Sequence, residues 1–270
     1  MSLTNVYATY TAFLAYLPNS GNVSTVMAEQ SIEGSSRMID NESGREFYPS
    51  IRTKIYDTPK RTNQLNIHDD LLDLTTLTNG DLTVITSSDY QLWPYNATPK
   101  AMIVLNPLST VFFNQSATTW NAGAISVYGT FGYHSNYGAA WLSGGVLGAA
   151  IASTSTTTVT ITITPFQAGQ IIKIDSELLL VTAVGVTTIT ATRGWNGSTA
   201  ATHLIAAPVS IWMPEPPIVR ACLMQAARYY RRAEAVFGTI GGGDMGSQPV
   251  TLTQLDPDVK EIIKQYQDRF

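Results

Sequence analysis

The apolar positions change their period twice along the chain. Val6, Tyr10, Phe13, Leu14 and Leu17 share one helical face, and Pro18, Asn19, Ser20 and Gly21 close that segment. A second helix is predicted over about 23–41, with Val26, Met27, Met38 and Ile39 turned inward and Gly44 as its stop. Small residues at Ser31, Gly34 and Ser35 would let another backbone approach it closely. From about Ile51 to Tyr133 the pattern becomes β. Ile51–Tyr56, Leu82–Ile85, Ala101–Leu105 and Ala124–Phe131 read as strands, Asn79-Gly80-Asp81 as a turn and Gly129–Gly132 as a kink.

Residues 139–152 read as a small-residue linker. Beyond it Val159, Ile161 and Ile163 alternate with threonines, and apolar runs at 171–174, 178–184, 189–193 and 209–212 continue a second β block. Helix returns after Pro214, Pro216 and Pro217, where Val219, Leu223, Ala226, Tyr230, Ala233 and Phe237 recur at helical spacing. Gly238 ends that helix, and the glycine-rich 238–246 reads as a mobile hinge. Asp256-Pro257-Asp258 is an N-cap, an N1 proline and an acidic first turn, followed by a stripe of Val259, Ile262, Ile263, Tyr266 and Phe270. The predicted class is α+β. A helical bundle, with two N-terminal helices and one long and one short C-terminal helix, carries a central β region over 1–138 and 214–270. An all-β domain is inserted at 139–213.

Composition narrows the function. Only 13% of the 270 residues are charged, about half the roughly 25% usual for soluble proteins. The net charge of -4 argues against a main task of gripping nucleic-acid phosphates. Between Lys100 and Lys173 there is no Asp, Glu, Lys or Arg, which suggests surface covered by other copies or other proteins, or else a neutral hydroxyl-rich face. The lone Cys222 excludes an internal disulfide and reads as core. The N-terminus lacks the pattern of a secretory leader, and the weakly polar run at 139–152 is too short to span a bilayer. The expectation is a soluble protein made in a cytoplasm, with no membrane partner.

Candidate chemistry is sparse. His68, His134 and His203 lie in separate segments, so no metal site is expected; His68-Asp69-Asp70 reads as a solvated acidic turn. Gly241-Gly242-Gly243 lacks the Lys-Ser/Thr ending of a phosphate loop, and no Gly-x-Ser-x-Gly occurs. No catalytic residue, cofactor or enzymatic activity is therefore expected. Arg220, Arg228, Arg231 and Arg232 crowd one helix, as a solvated face, as ion-pair donors to an acidic neighbour, or as DNA contacts. Trp93, Tyr95, Trp120, Tyr133, Tyr137 and Trp195 stand in polar surroundings, as interface anchors do and as sugar-stacking residues do.

Several segments together resemble phage head-tail connector proteins of the gp6-like adaptor type. GREFYPSIRTKIYDTP (44–59) is similar to their helix-to-strand junction, LNIHDDLLDLTTLTNGD (65–81) to the strand and turn that follow, and ISVYGTFGY (125–133) to the end of their β segment. LMQAARYYRRAEAVFG (223–238) resembles their long third helix and 255–270 their terminal helix. RGWNGSTAATH (193–203) resembles a β module of several phage structural proteins, and the block from about Ala139 to Met213 departs from the compact adaptors. The resemblance implies a structural subunit of a virion neck ring, usually of twelve copies, assembled in the host cytoplasm. Its partners would be itself, the portal protein and the next neck or tail protein, and DNA would pass through the lumen without specific binding. On that expectation Val259, Ile262, Ile263, Tyr266 and Phe270 dock on portal or a neighbouring subunit. The alternatives are a virion-surface glycan-binding or adhesion protein and a neck stopper or tail-completion protein.

Overall fold

The computed structural model describes residues 3–18, 21–61, 63–163, 165–234 and 255–267. Helix α1 (Tyr10–Tyr16) starts at Thr9, whose hydroxyl accepts the Ala12 N–H at 3.2 Å. Helix α2 (Thr25–Ser43) ends where Gly44 enters the left-handed region at φ 70°. Its buried face holds Ala28, Ser31, Ile32, Ser35, Ser36 and Ile39. Ser31, Ser35 and Ser36 donate to the carbonyls of Met27, Ser31 and Ile32 at 2.7–2.9 Å, so these hydroxyls enter the core already satisfied. Gly34, predicted to belong with them, is exposed.

That small-residue face receives helix α3 (Pro216–Glu234), which runs antiparallel to α2. Tyr230 Oη accepts the Ser24 N–H at 3.1 Å and Ser36 Oγ lies 3.4 Å from Cys222 Sγ. The buried residues of α3 are Ile218, Ala221, Cys222, Gln225, Ala226, Ala227 and Tyr230. Of the predicted stripe, Ala226 and Tyr230 are buried and Val219 and Leu223 pack half-buried against the same core, while Ala233 is exposed and Phe237 lies outside the described residues. The stripe misses Ala221 and Cys222, small residues that close approach selects at the contact. Val26 of α2, expected inside, is likewise exposed. Helix α4 (Pro257–Lys264) is capped by Asp256, which accepts the Asp258 N–H at 3.0 Å. The four helices and Phe47 share one core.

Strands β1 (Ser50–Tyr56), β2 (Gln64–Thr78), β3 (Val84–Ile85), β4 (Tyr90–Trp93), β5 (Lys100–Leu105) and β6 (Ile125–Phe131) form the first sheet. Its order is β1-β6-β2-β5-β4, with β3 also paired to β2, and every pairing is antiparallel. Leu65, Ile67, Leu71, Leu77, Ile103 and Val127 belong to its core. No kink interrupts β6 at Gly129. A Cβ there would stand 2.2 Å from the Asp73 carbonyl, so this glycine lets β6 cross the bulged β2.

Strands β7 (Trp141–Val146), β8 (Thr158–Thr160), β9 (Ile171–Ile174), β10 (Glu177–Val184), β11 (Thr188–Thr192) and β12 (Pro208–Trp212) form the second sheet, ordered β7-β12-β9-β10-β11-β8. A bridge between Leu147 and Ile161 joins its two ends. Gly148 N donates to Thr160 O at 3.0 Å and Thr162 N to Val146 O at 3.2 Å, so the sheet closes into a barrel around Ile172, Ile174, Leu179, Val181, Ile189 and Val209. The predicted linker is part of this wall. Gly144 of β7 lies under Phe166, whose ring a Cβ would meet at 2.8 Å.

These findings overturn the expected helical bundle with a small inserted β domain. Among the described residues there are two six-stranded antiparallel sheets against four helices, and the protein is mostly β. Strand β2 is interrupted by bulges, β4 is four residues long and β7 lies in the Gly-rich stretch that reads as a linker, so none of the three displays a clean period, whereas long helices advertise theirs. Leu72, Ala140, Ile171, Leu178 and Trp212 form a fourth, smaller cluster between the sheets, and Trp212 Nε1 donates to Phe47 O at 3.0 Å.

Candidate functional site

The densest polar cluster lies at the head of β10, where Glu177 is fully buried. Its two oxygens accept Arg193 Nε and Nη2 at 2.7 Å, and Gly194 N, Ala201 N and His203 Nε2 at 2.9 Å. His203 Nδ1 lies 2.7 Å from Asp175 Oδ2, so each ring nitrogen faces a carboxylate oxygen. Arg193 also donates to the carbonyls of Thr156 at 2.9 Å and Ser153 at 3.3 Å. Burial pushes the Glu177 carboxyl up. Arg193, the Ala201 and Gly194 amides and His203 outweigh it and hold the group at about 2. A carboxylate so fully engaged is a poor base. It fastens the 193–203 loop instead of reacting.

The fastened loop docks on the rest of the chain. Its short 3-10 turn, Trp195–Gly197, follows Gly194 in the left-handed region. Trp195 Nε1 and Asn196 Nδ2 donate to Asn5 Oδ1 at 2.8 and 3.0 Å, and Asn5 Nδ2 donates back to Asn196 Oδ1 at 3.1 Å. Asn196 Nδ2 also donates to Pro49 O at 2.8 Å. A Cβ on Gly197 would stand 2.1 Å from Ile51 O, so only glycine permits this approach to β1. Sequence reasoning missed the clasp because Glu177 meets Arg193 and His203 only through the fold. One signal was present: a lone Glu heading an apolar strand must find donors.

A second buried group sits where the N-terminal segment crosses α2. Tyr7 Oη donates to Asp40, accepts the Phe47 N–H at 3.0 Å, and Arg37 Nη2 lies 3.2 Å from Asp40. Burial raises the Asp40 carboxyl to about 7, against the opposing pull of Tyr7 and Arg37. Burial and Asp40 together push the Tyr7 phenol well up.

Of the predicted docking stripe, Val259 and Ile263 are buried in the chain's own helical core, and Ile262 and Tyr266 pack against it. Tyr266 stacks edge-on with Phe47 and Tyr133 at 5.4 Å, and burial pushes its phenol up to about 12. The described part of the stripe thus packs within the chain itself, and Phe270 lies outside the described residues. Arg220, Arg231 and Arg232 are exposed and make no ion pair among the described residues, whereas Arg228 lies 3.5 Å from Asp256. Cys222 is buried, and burial raises its thiol to about 11.

His68, Asp69 and Asp70 lie within strand β2 and not in the expected solvated acidic turn, and both carboxylates are engaged. Asp69 pairs with Lys54 at 2.9 Å and Tyr56 at 2.8 Å, and Asp70 pairs with Arg45. Among the described residues no group of three His, Cys, Asp or Glu could hold a metal ion, and no helix is long and apolar enough to cross a membrane. Gly241-Gly242-Gly243 lies outside them. A groove of about 810 Å³ opens between the end of β1 and the start of β2, lined in part by Tyr56, Lys60, Arg61, Asn66 and His68.

Of the aromatics expected at an interface, Trp93, Tyr95 and Trp120 are exposed; Tyr133, Tyr137 and Trp195 are half-buried. Leu82 and Val84 project from the β2–β3 turn, and that turn is held against 112–114. Asn79 Nδ2 donates to Phe112 O at 2.8 Å and its Oδ1 accepts Asn114 N at 2.8 Å. Phe112 and Trp120 extend the same end of the sheet, with Trp120 76% exposed. No protein-family model matches the chain, and neither does any curated protein sequence.

Proposed function

We propose that this chain is a structural subunit of a phage neck ring, joining portal to tail around the DNA exit channel. One observation carries the reading. The stretch from 101 to 172 holds no Asp, Glu, Lys or Arg, and it exposes Leu108, Phe112, Trp120, Tyr128, Leu142 and Ile163. A freely soluble surface keeps charges interspersed with such side chains to discourage association, and large apolar side chains exposed without them suit surfaces that partners cover. The segments that resemble connectors support the reading further: 44–59 spans the α2–β1 junction, and 223–238 begins within α3. The clasp suits a part that bears load, since it anchors the second sheet to β1 and to the N-terminal segment. The decisive experiment is a symmetry-resolved image of the particle neck, expected to show the chain as a ring between portal and tail. Density elsewhere in the particle, or none, overturns the reading.

One observation favours a second reading, a glycan-binding virion protein. Trp93 and Tyr95 form an exposed edge-on pair at 5.2 Å, a platform on which a sugar ring could lie. The predominance of strands also suits this reading. Saccharide binding lost in Trp93→Ala would favour this reading over the ring.

A further inference from the structure

Two helices of equal length pack against each other with opposite formal charge. Helix α2 carries Glu29, Glu33, Asp40 and Glu42 against Arg37, a formal -3. Helix α3 carries Arg220, Arg228, Arg231 and Arg232 against Glu234, a formal +3. Among the described residues no ion pair joins the two helices. Their contact is made by Ser36, Ile32, Cys222 and their small neighbours, and Arg228 is directed to Asp256 instead. The α2 cation is already engaged, since Arg37 pairs with Asp40 at 3.2 Å, and Glu33 accepts the neutral Thr4 hydroxyl. Glu29 and Glu33, one turn apart and half-buried, therefore keep their charge on one flank. Arg231 and Arg232 keep theirs exposed on the other helix.

We infer that the Arg231–Arg232 end of α3 in one copy docks against Glu29 and Glu33 of α2 in a second copy, head to tail. Two different patches of opposite sign on one subunit are what a heterologous interface requires, and such an interface closes into a ring when the contact involves little axial shift. The Ser24–Tyr230 and Ser36–Cys222 contacts set α2 and α3 side by side and antiparallel, so the acidic and the basic patch lie on neighbouring helices of one copy. Guanidinium groups suit the task, because each can take a carboxylate with two parallel hydrogen bonds. This inference rests on the reading of the chain as a subunit packed among its own copies, and adds which faces meet.

Charge reversal in the full chain tests it. Arg231→Glu with Arg232→Glu makes both faces acidic, and Glu29→Lys with Glu33→Lys makes both basic. In low salt the wild type is expected to self-associate, and each double variant alone to associate about tenfold more weakly or worse. An equimolar mixture of the two should recover association, with native mass spectrometry showing only mixed species. Should a reversal impair folding, Arg231→Lys with Arg232→Lys keeps the charge and permits carbodiimide coupling. The expected product links those lysines to Glu29 or Glu33 of a differently isotope-labelled copy. A monomeric wild type, variants that associate like it, or coupling only within one copy would each overturn the inference. So would duplex DNA binding by the wild type that vanishes in the arginine reversal, since the face would then serve phosphates. Charge-insensitive association removes this inference alone; particle images lacking a ring of the chain remove the reading beneath it.

Discussion

At the scale of single residues, two buried carboxyls have opposite consequences for stability. Glu177 is held near 2 against an ordinary 4.5, so its folded value is depressed. Its contribution is present in full above 4.5 and is lost as pH falls toward 2. That shift corresponds to about 3 kcal/mol. Asp40 is raised to about 7 from 3.8, because burial costs its charged form more than Tyr7 and Arg37 return. The folded state then binds the extra proton, and stability declines as pH rises from about 4 to 7. Denaturant titrations across pH should show both slopes. Glu177→Gln is expected to remove the acid-side slope while lowering stability at neutral pH by about 2–4 kcal/mol, since Arg193 and His203 stay buried without their carboxylate. Asp40→Asn should flatten the slope between 4 and 7. A slope that persists in its variant would show that another group is responsible.

At the scale of elements, the short helix α4 stabilises its own chain. Val259 and Ile263 of α4 sit fully inside the helical core, and Tyr266 completes an aromatic cluster with Phe47 and Tyr133. Ile263→Ala is expected to cost about 2–4 kcal/mol in the unfolding of the isolated chain, as removal of a buried aliphatic side chain does. An unchanged unfolding midpoint would return the stripe to the role of an external dock. The sequence made α4 legible because its cap and stripe are local: Asp256, Pro257 and the i, i+3, i+4 spacing of Val259, Ile262 and Ile263. It could not say what the stripe faces, since amphipathicity is the same whether the cover is the same chain or another. The α3 face was legible only in part for a related reason. A close contact between helices puts Ala221, Cys222 and Ser36 inside, and those residues carry little hydrophobic signal. In the second sheet the alternation of Val159 and Ile161 with threonine was readable, yet closure was not. It depends on backbone bonds between Gly148 and Thr160 and between Thr162 and Val146, which leave no mark on composition.

At the scale of the whole molecule, the barrel and the first sheet each bury a complete core, and comparatively little joins them. The joint includes the small cluster around Leu72 and Trp212, the bond from Trp212 to Phe47 O, and the bonds from Trp195 and Asn196 to Asn5 and Pro49. Two self-sufficient cores with a small joint unfold together only while the joint couples them strongly enough. Asn196→Ala removes the bonds its side chain makes to Asn5 and Pro49, and should weaken the joint by about 1–3 kcal/mol without touching either core. Calorimetry is expected to resolve one transition in the wild type into two in this variant. Glu177→Gln, which loosens the loop from the barrel side, should separate them in the same sense. A single sharp transition in both variants would mean that the hydrophobic cluster alone carries the coupling. The 193–203 loop would then be a feature of the barrel alone, and its docking on β1 would be incidental to how the two cores unfold.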